Sequence, residues 1–279
     1  NYGIGFWASQ CGVSEVMWEL WLLPIFGFLI AIVASLTGIG GGIFIVPVLN
    51  LLYEFAPTDA IGTSLTVIIF TGVAATLNYA RQKRIYWRTG VVLAVATAPG
   101  AYIGAWLTTV LAEESLGLIF GLFLIAVAVY VIADLNNASR SKNRDKNPIE
   151  LSDSALVRSR RKIVVGAGLS FFGGLASGLL GIGGGLLVVP VMTFAMGMSI
   201  HLATATSMFT MIFTSGSGVV SHFQANHVEF ETALLLALGA VFGAQVGAYA
   251  SKRVSSKNLR RIFGIVLIIS GINMIVKYW

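Results

Sequence analysis

Long apolar stretches separated by short polar ones dominate this chain. Most of the stretches are close to the roughly 20 residues that an α-helix needs to cross a hydrocarbon core about 30 Å thick. Because each backbone N–H in lipid must be satisfied within its own segment, the pattern predicts helices. Two stretches are too short to cross as ordinary helices, and each follows a glycine cluster. The stretches lie at about 18–37, 43–53, 60–80, 89–111, 116–135, 163–180, 186–198, 203–223, 231–251 and 258–277.

Composition excludes a water-soluble protein. Of the 279 residues, 56% are hydrophobic and 11% are charged, whereas about a quarter of the residues in a soluble domain are charged. The high hydropathy also excludes a disordered chain. The net charge of +6 does not indicate nucleic-acid binding, because that function needs a solvated basic face. We therefore predict an all-α polytopic membrane protein in a lipid bilayer.

The reactive side chains point to neither a cofactor nor an enzyme. Cys11 is the single cysteine, which excludes a disulfide within the chain and a cysteine-based metal or redox centre. His201, His222 and His227 have no convincing metal-ligand spacing. No Lys-Ser or Lys-Thr pair follows the glycine clusters, so a nucleotide-binding loop is not supported. We expect no metal, no cofactor and no catalytic residues.

The chain contains an internal repeat at a shift of 143 residues without gaps. Residues 36–42 match residues 179–185, and Val46-Pro47-Val48 matches Val189-Pro190-Val191. Further matches extend the register over about 100 residues, which indicates a duplication. We divide the chain into an outer interfacial segment at 1–17, membrane repeat 1 at 18–135, a basic cytoplasmic linker at 136–162 and membrane repeat 2 at 163–279.

The charged residues predict how the repeats lie in the membrane. Seventeen of the 18 basic residues fall in loop 81–88, in the linker and in loop 252–261. By the positive-inside rule these segments are cytoplasmic. Loops with acidic residues and no Lys or Arg, at 54–59, 109–115 and 224–231, should face outward. The N-terminus is then expected outside, and the localisation is a cell inner (plasma) membrane.

Equivalent loops carry opposite charge. Loop 81–88 is basic and its equivalent 224–231 is acidic, whereas 109–115 is acidic and its equivalent 252–258 is basic. This predicts two repeats of inverted topology, an arrangement common among secondary transporters. Each repeat combines a glycine-broken helix or hairpin with three long membrane helices. We favour a hairpin over a short full crossing because about 12 residues rise only about 18 Å.

The glycine clusters are candidates for an anion site. Several consecutive glycines disfavour continuous helix, and a break exposes N–H groups at the start of the next helix, where the dipole favours an anion. Nearby hydroxyl groups would complete the shell. Alternatively, the glycines serve close packing, and the hydroxyls bond back to carbonyls. The candidate substrate-binding residues are Gly38, Gly40, Gly41, Gly42, Thr63, Ser64, Gly181, Gly183, Gly184, Gly185, Thr206 and Ser207.

Few ionisable residues lie within the apolar stretches. His222 is the one titratable side chain that could reach the interior, and Asn78 and Gln245 are uncharged polar companions. An intramembrane His is a functional candidate by default, so these three residues are candidates for a site or a gate, and proton coupling stays open. The alternative for His222 is a position at an outer helix end in contact with water.

The duplicated motif Gly-Ile-Gly-Gly-Gly-x-x-x-Val-Pro, followed about 16 residues later by Thr-Ser, resembles the sulfite exporter TauE/SafE family. The resemblance covers about residues 20–277 and implies a prokaryotic inner-membrane carrier for small anions, chiefly sulfur-containing ones. It assigns a substrate role to the glycine clusters and the Thr-Ser pairs only. Repeat 2 departs mildly from repeat 1, with Ala205 in the place of Gly62.

Together these observations favour a secondary transporter that exports sulfite or organosulfonates by alternating access, with the anion between the two glycine breaks. The partners are a small anion and lipid, and the oligomeric state is open. An importer or an anion channel of the same fold is the alternative. An intramembrane sulfur-handling enzyme would need a reactive group at depth, and a scaffold without transport would have no binding to lose.

Overall fold

The computed structural model describes residues 13–141, 153, 159–251 and 268–278. Within them the regular elements are all helices, which confirms the all-α prediction. The N-terminal part of the predicted outer segment, most of the predicted linker and loop 252–258 lie outside the described residues. The helices are α1 (Val13–Thr37), α2 (Gly42–Leu52), α3 (Pro57–Arg81), α4 (Trp87–Thr108), α5 (Glu113–Ser141), α6 (Arg160–Leu180), α7 (Gly185–Ala195), α8 (Ile200–Gln224), α9 (Phe230–Ala250) and α10 (Ile268–Tyr278).

Four of the described helices are long and apolar enough to cross a membrane: α3, α4, Arg161–Leu180 of α6, and α9. Their ends differ from the hydropathy boundaries. For example, α5 continues to Ser141, whereas hydropathy ends the stretch at 135. Hydropathy marks where the lipid ends, and a helix can continue into water beyond that point.

The two short helices begin directly after the glycine clusters. Each contains 11 residues, and Val191–Ala195 of α7 is π-helical. At 1.5 Å per residue each rises about 16 Å, roughly half of the hydrocarbon core. Each of the interior prolines, Pro47 and Pro190, is the sixth residue of its helix, where proline removes one N–H bond of the helix.

The backbone repeats its unusual conformations in the two halves. Among the described residues, every residue with positive φ has a counterpart 143 positions away that also has positive φ. Lys83 and Asn226, for instance, have φ of 54° and 57°. The local conformation of the chain is therefore duplicated, as well as its sequence. The five pairs are Gly38 and Gly181, Gly40 and Gly183, Gly41 and Gly184, Glu54 and Gly197, and Lys83 and Asn226.

Each repeat packs its first helix against the fourth helix of the other repeat. Helix α1 lies along α9, where Gly239 meets the backbone of Pro24 and Gly243 meets that of Phe28. The contacts advance in the same order along both chains, so the two helices are parallel. Helix α6 lies along α4 in the equivalent way.

The equivalent helices α3 and α8 cross in the centre of the bundle. Gly62 near the start of α3 packs against His222 near the end of α8, and Gly72 further along α3 packs against Ile212. The order is reversed, so these equivalent helices are antiparallel. This geometry agrees with repeats of opposite sense, although their orientation in a membrane stays a prediction.

Helices α1 and α3 run in the same direction, because both are parallel to α9: Asn78 of α3 meets Gln245, and Gln82 meets Ala248. The segment between them, which contains α2, must therefore return to the side where α1 began. The described part of the chain thus has a return segment with a short helix and a glycine turn, as the hairpin form requires.

Charges collect at the two ends of the bundle. At one end Arg84 donates hydrogen bonds to Ser251 Oγ, 2.9 Å away, and to the carbonyl of His201, 3.2 Å away. At the other end Asp59 pairs with His227. We call these the basic end and the acidic end.

Candidate functional site

The two glycine turns, Gly38–Gly41 and Gly181–Gly184, lie side by side and run in opposite directions. Gly42 packs against the carbonyl oxygen of Gly181, and Gly185 packs against that of Gly38. A Cβ at either position would overlap that oxygen, so only glycine fits. The structure thus brings the two predicted clusters together.

Each glycine turn starts a short helix and leaves N–H groups without a backbone acceptor. Gly41 and Gly184, the residues before the helices, have φ of 86° and 83° and supply no side-chain cap. Along each short helix, the first N–H groups that donate to a described backbone carbonyl are those of Phe44 and Leu187. Their acceptors are the carbonyls of Gly41 and Gly184. The N–H groups of the two preceding residues in each helix therefore have no backbone acceptor, and such groups at helix starts are the kind that bind anions in proteins.

The predicted serines bond to the glycine turn of the opposite repeat. Ser64 Oγ donates to the carbonyl of Gly181 at 2.9 Å, and Ser207 Oγ donates to that of Gly38 at 3.0 Å. Ser207 Oγ also lies 2.8 Å from the carbonyl of Thr204. All of these serine side chains are buried. In this conformation the serines hold the turns in place and have their protons engaged.

The predicted threonines accept hydrogen bonds from the loops before the fourth helices. Thr63 Oγ1 accepts from the N–H of Glu229, and Thr206 Oγ1 accepts from the N–H of Tyr86, both at 3.1 Å. These contacts are again equivalent in the two repeats. They orient the threonine oxygens toward the loops, and a direct role in substrate binding stays a prediction for all four hydroxyl residues.

Hydroxyl groups not singled out in the sequence lie beside the second glycine turn. Ser177 is fully buried, and its Oγ has no hydrogen-bond partner among the described residues. A Cβ at Gly184 would lie 3.6 Å from this oxygen and 3.3 Å from Cγ2 of Thr214. Thr214 in turn shares a 2.7 Å hydrogen bond with Thr97. The second turn therefore has one hydroxyl neighbour, Ser177, while Thr214 presents its methyl group to Gly184.

The first turn has no matching hydroxyl pair. Ala34 and Ala240 occupy the positions equivalent to Ser177 and Thr97, and Ala34 lies beside Gly41. This difference between the repeats is the sequence signal that would have identified the two hydroxyl residues. The two turns thus have the same backbone conformation but different neighbouring side chains.

Two apolar side chains cover the crossing of the turns. Ile68 packs against Gly183, and its equivalent Met211 packs against Gly40. Ile68 and Met211 are 0% and 1% exposed, and the positive-φ glycines of both turns are buried. The positive-φ glycines are closed to solvent in this conformation, so an anion reaches them only after a conformational change.

Asn78 and Gln245 lie together, away from the turns. Asn78 Nδ2 donates to Gln245 Oε1 at 3.0 Å, and Gln245 Nε2 donates to the carbonyl of Ala74 at 2.6 Å. Gln82 donates to Asn78 Oδ1 at 2.8 Å. These amides join α3 to α9 near the basic end, and the structure does not bring them to His222.

His222 is buried near the acidic end. Its side chain is 0% exposed, and the ring lies against the backbone of Gly178, the counterpart of Ser35, to whose carbonyl the equivalent Tyr79 donates at 2.6 Å. Contact with water at a helix end, the alternative considered for this residue, therefore does not occur in this conformation. His222 thus occupies in repeat 2 the place that Tyr79 occupies in repeat 1.

At the basic end, burial lowers the pKa of Arg84, and the neighbouring Tyr79 opposes that change. The guanidinium carbon lies 5.2 Å from the centre of the Tyr79 ring. An arginine remains charged despite such a change. Arg84 is therefore a fixed positive charge between α3 and the end of α9.

The chain is similar to known membrane proteins along nearly its whole length. The model of the family described as Sulfite exporter TauE/SafE matches residues 23–274. The "Probable membrane transporter protein YunE" of Bacillus subtilis is 34% identical over 274 residues, which cover 92% of this chain and 97% of the relative. The "Probable membrane transporter protein MJ0441" of Methanocaldococcus jannaschii is 28% identical over 278 residues, covering 94% and 97% of the two chains. No solved structure shows a significant match.

Proposed function

Because this chain belongs to the sulfite exporter TauE/SafE family, we propose that it exports small, sulfur-containing anions, sulfite or organosulfonates, across the cell inner membrane by alternating access. The chain is a membrane transporter by family, and the family resemblance seen in the motifs is confirmed. The substrate, the direction and the binding residues are our proposal.

The observation that carries the proposal is the meeting of two helix starts at the glycine turns. N–H groups of Gly42 and Ile43 on one side, and of Gly185 and Leu186 on the other, lack backbone acceptors among the described residues. Transporters with broken helices use such N-termini to bind anionic groups. Gly40, Gly41, Gly183 and Gly184 shape the turns that aim these groups.

Binding without a full opposite charge suits a carrier. A lysine or arginine at this depth would attract an anion strongly, because Coulomb interactions grow as the dielectric falls. Dipoles and hydroxyl groups hold the anion less tightly and permit release. The Ser177 hydroxyl, which has no partner among the described residues, adds a donor beside the second turn, so we place the anion nearer to that turn.

Export is favoured over import by the membrane potential. With the basic end in the cytoplasm, as the positive-inside rule predicts, an anion moves outward from the negative interior. This movement is favourable by about 2.3 kcal/mol per charge for each 100 mV. Proton coupling would modify this balance.

Substrate flux in proteoliposomes tests the proposal. Vesicles that contain the purified protein should release preloaded sulfite, thiosulfate, a sulfonate or a carboxylate, and external substrate should accelerate the release by exchange. Saturation with one of the sulfur-containing anions is the expected result. Currents that neither saturate nor show exchange would establish a channel, and inward movement against the potential would establish an importer.

Binding measurements separate transport from the remaining alternatives. A scaffold would bind none of the four anion classes although it is folded, and an intramembrane enzyme would convert the added anion chemically. Mass analysis of the recovered anion distinguishes these outcomes from simple transport.

A further inference from the structure

The side chain of Met211 on α8 touches both glycine turns. A Cβ at Gly40 in the first turn would lie 2.5 Å from Met211 Sδ, and a Cβ at Gly183 in the second turn would lie 3.3 Å from the same sulfur. At Gly185, where α7 begins, Sδ and Cε of Met211 are again among the nearest atoms. The thioether therefore lies at the junction of the two turns.

This junction adjoins one of the backbone donors that we assign to the anion. The N–H of Gly185 has no backbone acceptor among the described residues, and a Cβ on Gly185 would lie 3.0 Å from Met211 Sδ. Met211 is 1% exposed, so its side chain is enclosed by protein. Because a thioether is uncharged and only a weak acceptor, it occupies this space without replacing the interaction that an anion would make.

Helix α8 fixes the backbone of Met211 while the end of the side chain can adjust. Ser207, four residues earlier, donates to the carbonyl of Gly38 at 3.0 Å, and residues four apart lie on the same face of a helix. The helix is thus held to the first turn directly beside Met211. Methionine is unbranched and has three rotatable bonds, so its terminal atoms can move without a shift of the helix.

The equivalent side chain in repeat 1 is stiffer. Ile68 packs against Gly183, where a Cβ would lie 2.9 Å from Ile68 Cγ2, and it is fully buried. A β-branched side chain is restricted at χ1, so Ile68 has less freedom to turn away than Met211. The junction is therefore covered by one stiff and one adjustable side chain.

An anion at the start of α7 must share the junction with Met211. Protein interiors are closely packed, so the terminal atoms of the side chain must turn aside by as much as the anion requires. A small anion needs a small displacement. A long organic group would need more space than the movement of one side chain can provide.

We propose that Met211 is a specificity-determining residue of the anion site. Its thioether fills the junction of the turns in the described conformation, turns aside for the anion and packs against the uncharged part of a small organosulfonate. The charged head group binds the N–H groups at the start of α7. Met211 thereby limits the size of the organic group. The inference rests on the proposed carrier function and names its substrate class, alkanesulfonates with a short chain.

Counterflow of straight-chain alkanesulfonates in proteoliposomes tests the proposal. Methanesulfonate and 1-butanesulfonate have the same head group and charge, and they differ only in the alkyl chain. In the wild type the apparent KM should be higher for butanesulfonate. Met211→Ala should lower the ratio of the two KM values about tenfold, which is within the range that added methylene groups produce in apolar pockets.

The chain provides a matched control on the same helix. Met208 is also buried, at 0% exposure, but its side chain is not among the nearest neighbours of the glycines in the turns. Met208→Ala removes the same atoms as Met211→Ala and should leave the KM ratio unchanged. Met211→Leu, which conserves volume, should keep the wild-type ratio.

A second measurement detects contact with the anion without transport, and it does not require the alanine variant to fold. In a background with Cys11→Ser, Met211→Cys in detergent should react with a small thiol reagent, and saturating methanesulfonate should slow this reaction severalfold. Any reaction of Met208→Cys should have the same rate with and without the anion.

Several results would overturn the proposal. They are equal KM values for the two sulfonates in the wild type, an unchanged ratio in Met211→Ala, an equal change in Met208→Ala, or labelling of Met211→Cys that methanesulfonate does not slow. Counterflow of sulfite without counterflow of either sulfonate would also overturn it, although the carrier function would stand. Absence of counterflow for every anion in the wild type would instead refute the carrier function.

Discussion

Ser64 on α3 donates a 2.9 Å hydrogen bond to the carbonyl oxygen of Gly181, in the glycine turn of the other repeat. Because both groups are buried, this bond fixes the position of one repeat's central helix against the other repeat's turn. Ser207 and Gly38 make the equivalent bond. The two bonds join the halves across the candidate anion site, so the conformational change that opens the site must lengthen at least one of them.

Replacing Ser64 by alanine should destabilise the protein by about 1–3 kcal/mol, because a buried carbonyl loses its hydroxyl partner. Thermal unfolding of the purified variant in detergent measures the change. Thr66→Val is the matched control. The Thr66 hydroxyl donates to the carbonyl of Gly62 in its own helix. That carbonyl also accepts the backbone N–H bond of the helix, so it keeps a partner in the variant. Equal losses of stability in both variants would show that the bond between the repeats contributes no more than a bond within one helix.

Alanine at Gly42 or Gly185 should prevent correct folding, because the new Cβ would overlap a carbonyl oxygen of the opposite turn. The yield of monodisperse protein after purification measures this effect. Gly168→Ala and Gly216→Ala are the controls, since a Cβ at either position meets nothing within 4 Å. Alanine there should be neutral or stabilise the helix by up to about 1 kcal/mol. Normal yield of Gly42→Ala would contradict the close contact of the turns.

Replacing Ser177 by alanine should weaken anion binding about tenfold without lowering stability. A hydrogen bond to a charged partner contributes more than about 1.4 kcal/mol, but the Ser177 hydroxyl has no partner to lose in the described conformation. Binding and thermal unfolding are measured on the same sample. Ser170→Ala removes another buried, unpartnered hydroxyl of α6 and should leave the affinity unchanged. Unchanged affinity in Ser177→Ala would move the anion away from the second turn.

Replacing Glu229 by glutamine should stabilise the protein slightly at neutral pH. The pKa of Glu229 is raised by burial and by the carboxylates of Asp59 and Glu231, so the folded state favours the protonated form. The wild type therefore loses stability as pH rises from the ordinary glutamate pKa through the raised one. The gain at neutral pH should not exceed about 0.5 kcal/mol, because the group is partly exposed and screened. Thermal unfolding measured at several pH values should show a smaller loss of stability over this range for the variant than for the wild type.

Cysteines placed at Lys83 and Asn226 should react from opposite sides of the membrane. The two residues are equivalent, both are exposed, and both have positive φ, so their local surroundings match. Labelling with a membrane-impermeant thiol reagent in a background with Cys11→Ser should modify Asn226→Cys from outside and Lys83→Cys only after permeabilisation. Modification of both from one side would refute the inverted orientation.

The duplication and the positions of the helical segments could be predicted from the sequence because they depend on local patterns. Glycine clusters break helices wherever they occur, and apolar length decides what can cross lipid. The prediction of helices and the position of the two short ones are therefore confirmed. Contacts between repeats could not be predicted in this way. Nothing local to Ser64 indicates that its partner is the carbonyl of Gly181, more than a hundred residues away.

By itself the sequence determined an all-α membrane protein with two matching halves and opposite charge at equivalent loops, because hydropathy and charge act on each segment separately. Only the tertiary structure decided which polar groups have partners. It bonds Ser64 and Ser207 to the turns and Asn78 to Gln245, and it leaves the Ser177 hydroxyl without a partner among the described residues. Bonding depends on how α3, α6 and α8 pack, and this packing combines surfaces from both repeats.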